Sequence, residues 1–151
     1  NEQIKELLET KFPNAAFEDF KGMLNVTVKP SDLRELLAFL KNSEETEMDY
    51  LISLTGVDWK DSTGTVYHLE STGKKHLLVV KCKPESRENP VIPSVTDLWA
   101  GAELHEDEAY DLLGITFTNH PNLRRLLMDE HWHGHPLLKD YVDTINIIDL
   151  G

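Results

Sequence analysis

A single cysteine, Cys82, stands in 151 residues. No disulfide can close within the chain, and no zinc or iron–sulfur centre can be built on cysteines alone. Such usage fits a reducing compartment. Basic residues are also scarce, with 15 Lys and Arg against 27 Asp and Glu and a formal net charge of −12. That imbalance argues against nucleic acid and against an anionic membrane surface, and points to a protein partner with a basic face. No apolar run approaches the roughly 18–20 residues of a membrane span, so no direct span is expected. No glycine-rich phosphate loop is present, and Ser53 and Ser94 lie in no nucleophile motif. Neither an internal repeat nor a low-complexity tract appears. The first residues are polar and helix-prone, unlike a signal peptide, and without an initiator Met the N-terminus reads as trimmed.

What is present is enough for one domain with an extended tail: 40% hydrophobic residues for a core and 28% charged residues for a surface. Ile4, Leu7, Leu8 and Phe12 fall at helical spacing and predict a short amphipathic helix over 2–12. Ala15–Phe20 and Met23–Val28 read as strands joined by a tight Lys21-Gly22 turn. Pro30-Ser31-Asp32 opens a second helix with Leu33, Leu36, Leu37 and Leu40 as its stripe, and Asp32 with Glu35 fits a capping box. Strands are expected at Tyr50–Val57, Val66–Leu69 and His76–Lys81. The order α-β-β-α-β-β-β implies an α+β class, a two-layer α/β sandwich with both helices on one face of the sheet. Residues 1–83 form this domain. Residues 84–93, with three prolines, read as a linker. Residues 94–151 read as a helix from Val95 to Leu113, broken near Gly101, and then an extended partner-binding segment packed on the same domain. Ser94 and Asp97 fit a capping box, and Gly114 a helix stop. The apolar tail, with Ile145, Ile147 and Ile148, has little chain left to fold onto and suits another protein's surface.

The stretch from Trp99 to Tyr141 is the unusual part. Glu103, Asp107 and Asp111 stand at i, i+4 and i+8, so a helix lines up three like charges. Each adjacent pair costs roughly 0.2–0.5 kcal/mol on an isolated helix, and Asp111 sits where the helix dipole disfavours an anion. Either the face is solvated, or cations compensate it. Arg124, Arg125 and Lys139 are the local candidates, and a partner's basic residues are the other source. His131, His133 and His135 would share a face on a strand and so could ligate a metal. Gly134 and Pro136 oppose a regular strand, and loop packing is the plainer reading. Glu106 and Glu108 as an acid–base pair is weakened by their i, i+2 spacing. Trp99 and Trp132 read as packing anchors.

Several short motifs then occur in a fixed order. They are Glu106-Asp107-Glu108, Tyr110-Asp111-Leu112-Leu113-Gly114-Ile115, Phe117, His120-Pro121, Leu123-Arg124-Arg125, Trp132, Gly134-His135-Pro136-Leu137 and Lys139-Asp140-Tyr141. Upstream stand Gly56-Val57-Asp58, Val66-Tyr67-His68-Leu69 and Pro93-Ser94-Val95-Thr96. As a joint pattern this resembles the thirty-kilodalton subunit family of proton-pumping NADH:quinone oxidoreductase (respiratory complex I), whose relatives include subunits of membrane-bound hydrogenases. The similarity runs from Leu51 onward. Asp107 stands where the family usually has Arg, Leu104 and Leu113 where aromatics are common, and Leu138 where a basic residue is usual.

The resemblance implies a non-catalytic, hydrophilic subunit of the quinone-reducing arm. It would lie peripherally on the cytoplasmic side of the plasma membrane and help assembly by gripping the large quinone-pocket subunit, with other peripheral-arm subunits as further partners. It implies no cofactor in this chain; NADH, FMN, iron–sulfur clusters and quinone would belong to the wider complex. Glu106, Glu108 and Asp111 with Arg124 and Arg125 are expected to form a charge network, with His120, Trp132, His135 and Tyr141 as anchors; Glu103, Tyr110 and Lys139 are further expected partner-binding or structural residues of the motif. The rivals are the equivalent subunit of an energy-converting hydrogenase and a small metal enzyme built on His131, His133 and His135.

Overall fold

The protein is described from a computed structural model, which covers residues 2–86, 88–121, 123 and 135. The chain runs α1 (Glu2–Lys11), β1 (Ala16–Phe20), β2 (Met23–Val28), α2 (Pro30–Asn42), β3 (Tyr50–Asp58), β4 (Thr63–Ser71), β5 (His76–Cys82), β6 (Val91–Pro93), α3 (Ala102–Leu113) and β7 (Thr116–Thr118). Five strands form one sheet in the order β1-β2-β5-β4-β3, parallel only between β2 and β5.

Alternation along the strands sends one set of side chains to a single face. Leu24, Val26 and Val28 lie opposite Leu78, Val80 and Cys82, which in turn lie opposite Leu69, Tyr67 and Thr65. Ile4, Leu8 and Phe12 of α1 and the four leucines of α2 join the same core. Both helices therefore cover that face, as expected. Each of the α2 leucines is fully buried, and each contributes roughly 1.5–3 kcal/mol through removal of apolar surface from water. The Lys21-Gly22 hairpin turn has positive φ at both residues, 53° and 79°, the backbone that matches the twist of paired strands.

Three local expectations are corrected. The Asp32–Glu35 capping box does not form: Lys29 is the N-cap, without a side-chain bond, and Pro30 opens α2. Proline is pre-set for that position and has no N–H to satisfy. The stretch read as a linker contains β6, which pairs in parallel with β7, in a region expected to be irregular. The helix expected from Val95 begins only at Ala102. Ser94 and Asp97 are engaged elsewhere, and residues 95–101 form turns.

The two sheet edges differ. β1 is short, exposed along most of its length and carries Glu18 and Asp19. β3 has nine residues, charged only at its last, Asp58, and bulges between Leu51 and Ser53. The third helix, α3, packs on β3.

Candidate functional site

Helix α3 is held between two layers, and its sequence accounts for both. Ala102, Glu106, Ala109 and Leu113 recur at helical spacing and are buried. Ala109 and Leu113 meet β3 at Gly56. A Cβ there would lie 2.5 Å from Leu113 Cδ1 and 3.1 Å from the Ala109 Cβ, so only the missing side chain lets helix and strand come this close. Gly114 ends the helix in the left-handed conformation, φ 77°, with its N–H donating to the Tyr110 carbonyl.

Glu106 is the best-defined member of the site. Its carboxylate is fully buried. Ser94 Oγ donates to Oε1 at 2.6 Å and the Val95 N–H donates to Oε2 at 2.9 Å. The Ser94 N–H in turn donates to the Thr118 carbonyl. One side chain on α3 thus fastens the turn after β6, and that turn is tied to the end of β7. Burial pushes the Glu106 carboxyl above its ordinary range, against the pull of the Ser94 and Val95 bonds and the His120 ring.

The His120 side chain is also fully buried. Its Nε2 lies 3.2 Å from the Glu103 carbonyl, 3.4 Å from Asp107 Oδ1 and 3.9 Å from Glu106 Oε1. Asp107 and Asp111 are buried too, and neither lacks a partner. Of the three acids at i, i+4 and i+8, Asp107 and Asp111 are buried and Glu103 is half-buried, so that face is not simply solvated. Buried carboxylates persist only when hydrogen-bonded or paired. His135 reaches α3 from 24 residues beyond Asp111, its Nδ1–H donating to the Asp111 carbonyl at 2.9 Å and its ring tilted against Tyr110. That carbonyl is among the last four of the helix, which have no partner within it. The ring closes over Gly114, where a Cβ would stand 2.7 Å from it.

The structure thus brings Glu103, Glu106, Tyr110, Asp111, His120 and His135 to one region. Glu108 is separated from them: it is exposed and lines a groove beside β3. Glu108 and Glu106 diverge because residues two apart on a helix point to different sides. Arg124, Arg125, Trp132, Lys139 and Tyr141 lie outside the described residues, as do His131 and His133. Among the described residues no three His, Cys, Asp or Glu side chains are grouped to hold a metal.

Two contributors escaped the reading of the sequence. Ser94 looked like a helix cap and is a donor to Glu106. Arg34 on α2 donates to the Ser94 carbonyl at 2.6 Å and bidentately to Asp97 at 2.7 and 2.5 Å. That pairing raises the Arg34 pKa and holds the Asp97 carboxyl below its usual value. Nothing local announces a contact across 60 residues.

The fold is a two-layer α/β domain with a third helix whose Glu106, Asp107 and Asp111 are buried. The family model described as "Respiratory-chain NADH dehydrogenase, 30 Kd subunit" matches residues 26–145, and the chain belongs to that family. An NADH-quinone oxidoreductase subunit of this family from Roseiflexus castenholzii is 39% identical over 145 residues, 93% of this chain and 83% of the relative. Its counterpart from Chloroherpeton thalassium is 43% identical over 148 residues, 93% of this chain and 60% of the relative. A longer NADH-quinone oxidoreductase subunit from Phocaeicola vulgatus is 47% identical over 108 residues, 71% of this chain, and the match spans 21% of that relative's length. Among solved structures, one of the membrane-bound sulfane sulfur reductase, an archaeal respiratory membrane complex, contains a chain with a TM-score of 0.77 and 25% identity, covering 93% of this chain and 85% of that one. The family resemblance and the α/β sandwich expected from the sequence are thereby both established. No helix among the described residues is long and apolar enough to cross a membrane.

Proposed function

We propose that this chain is a non-catalytic peripheral-arm subunit of a proton-translocating NADH:quinone oxidoreductase, and that it supports assembly of the quinone-reducing module by binding the large quinone-pocket subunit. It sits on the cytoplasmic side of the membrane. NADH, FMN, iron–sulfur clusters and quinone are bound by other subunits of that complex. The observation that carries this reading is the use of Glu106: a fully buried carboxylate spends both oxygens on Ser94 and Val95, so it braces the chain and leaves no oxygen facing a substrate. The following segment, with Arg124, Arg125, Trp132, Lys139 and Tyr141, is the part that engages the large subunit.

The test is gentle affinity purification of the tagged chain from its own membranes, followed by NADH:quinone reductase assay and identification of the chains that come with it. Co-purification of an active complex is expected, with lower yield for Arg124→Ala and Arg125→Ala. Recovery of the chain alone, or unchanged yield and activity in both variants, overturns the proposal. A second reading, the equivalent subunit of a related membrane complex, is favoured by the structural likeness to the sulfane sulfur reductase chain. Partners with sulfur-reductase or hydrogenase activity in the same purification would select it.

A further inference from the structure

Two features meet along β3. It is the last strand of its sheet, with β4 on one side and no described strand on the other. Natural edge strands are commonly blunted by charge, proline or shortness. The opposite edge, β1, has five residues and two acids. β3 has nine, Tyr-Leu-Ile-Ser-Leu-Thr-Gly-Val-Asp, with no proline or basic residue, and apart from the bulge near its start its own sequence carries no such device. Tyr50 and Ile52 near its start are 53% and 43% exposed. Next to it lies a groove of about 240 Å³. Four consecutive strand residues, Ser53 to Gly56, form one wall, and His105, Glu108 and their neighbours on α3 form the other. Consecutive residues of a strand line one groove only when the groove runs along the strand's edge, because their side chains alternate between faces.

We propose that this groove takes an extended segment of a partner subunit, which adds a sixth strand beside β3 and sets a Lys or Arg against Glu108. Backbone hydrogen bonds to the strand edge would give affinity, and the helix wall would give selectivity. The charge of the groove chooses among occupants. Glu108 is the one Asp, Glu, Lys or Arg among the described residues of the lining, and it is exposed. Residues 142–151 of this chain contain Asp143 and Asp149 and no Lys or Arg, and β3 of a second copy offers Asp58 and no cation. Neither answers Glu108, and the chain's own cations after α3, Arg124, Arg125 and Lys139, lie in the segment proposed above to engage the large subunit. A basic strand from another subunit answers it, and it suits a chain with net charge −12. This inference rests on membership in a complex, but its residues belong to β3 and α3 and not to the segment after α3 that is proposed to bind the large subunit.

A photo-crosslinking residue placed at Thr55, exposed on the groove wall, tests it in the complex isolated from membranes. Leu112, on the helix wall, is the second position should the Thr55 variant not accumulate. The expected product joins this chain to another subunit at an extended segment containing Lys or Arg. Its yield should fall roughly tenfold with Glu108→Lys, the size of a lost charge-assisted contact. A crosslink to residues 122–151 of this chain, or to a second copy, overturns the proposal. So does absence of any crosslink while the same probe at Trp132 still captures a partner, which leaves the assembly role intact. Silence at both positions would reject both.

Discussion

His135 closes over Gly114 at the end of α3, its ring occupying the space that any other residue at position 114 would fill with a Cβ. The glycine is required twice: for a left-handed backbone at φ 77° and for the approach of a ring 21 residues away. Gly114→Ala should lower stability by roughly 1–3 kcal/mol through the backbone alone. It should also detach His135, seen as loss of amide protection at the C-terminus of α3. Equal melting temperatures for the two proteins would contradict this.

Gly56 plays a comparable role on the other side of the helix. A Cβ at Gly56 is forced against Leu113 and Ala109, and overpacking of this kind costs about 1–3 kcal/mol. Gly56→Ala should therefore be destabilising, and Leu113→Ala should partly rescue it in a double-mutant cycle. Strictly additive losses would show that the two residues are not in contact.

The Glu106 carboxyl gives a pH signature opposite to that of most surface acids. Its folded-state pKa lies above the ordinary value of 4.5 because burial penalises the charge. The native state therefore binds the proton more tightly than the unfolded chain, and the contribution to stability rises as pH falls from above the raised value towards 4.5. It is fully present below the unfolded pKa. Glu106→Gln, which cannot titrate, lacks this term. Denaturation midpoints taken from about pH 8 to about pH 4 should show the wild type gaining on the Gln variant as acid is added. A constant difference would mean that the carboxyl titrates alike in the folded and unfolded states, and a wild type that loses ground as acid is added would mean that the carboxylate is better stabilised inside the protein than in water. His120 and Asp107 face the same carboxylate, so His120→Asn is the companion variant that separates their share.

Asp97 should behave in the ordinary way. Its pKa is lowered, chiefly by the Arg34 hydrogen bond, so its contribution is present above the unfolded pKa and lost as pH falls through the folded one. The pair is partly exposed, and exposed pairs contribute little. Arg34→Lys keeps the charge but loses the bidentate fork, and with it the bond to the Ser94 carbonyl. It should loosen the turn that presents Ser94 to Glu106, seen as faster amide exchange at Val95. Unchanged exchange there would show that the turn holds without Arg34.

Cys82 is fully buried under the sheet's core face, and burial pushes its thiol up to about 12. The thiolate is the reactive form, so the folded protein should resist thiol reagents at neutral pH and react only when unfolded. Rapid labelling of the native protein would place the residue at the surface instead.

Much of the scaffold was legible because it is written in local periodicity. The leucines of α2 repeat at helical spacing and β2 alternates, and each pattern fits one kind of element with one buried side. The joint motif from Glu106 to Tyr141 identified the family for a different reason: its residues are set by the site they build rather than by the element they lie in. The boundaries were less legible. Ser94 and Asp97 have the spacing of a helix cap, and that pattern is the same whether they cap a helix or bond to residues far away.

The sequence by itself determined the two-layer domain, the acidic face of α3 at i, i+4 and i+8, and the helix stop at Gly114. Hydrophobic period, charge spacing and glycine's freedom at positive φ are properties of neighbouring residues. Only the tertiary structure decided that Glu106 turns inward to Ser94 and Val95 while Glu108 faces a groove, that β6 and β7 pair, and that Arg34 reaches Asp97. Those outcomes depend on which segments meet across many residues of chain, where burial changes the energy of a carboxylate far more than its local sequence does.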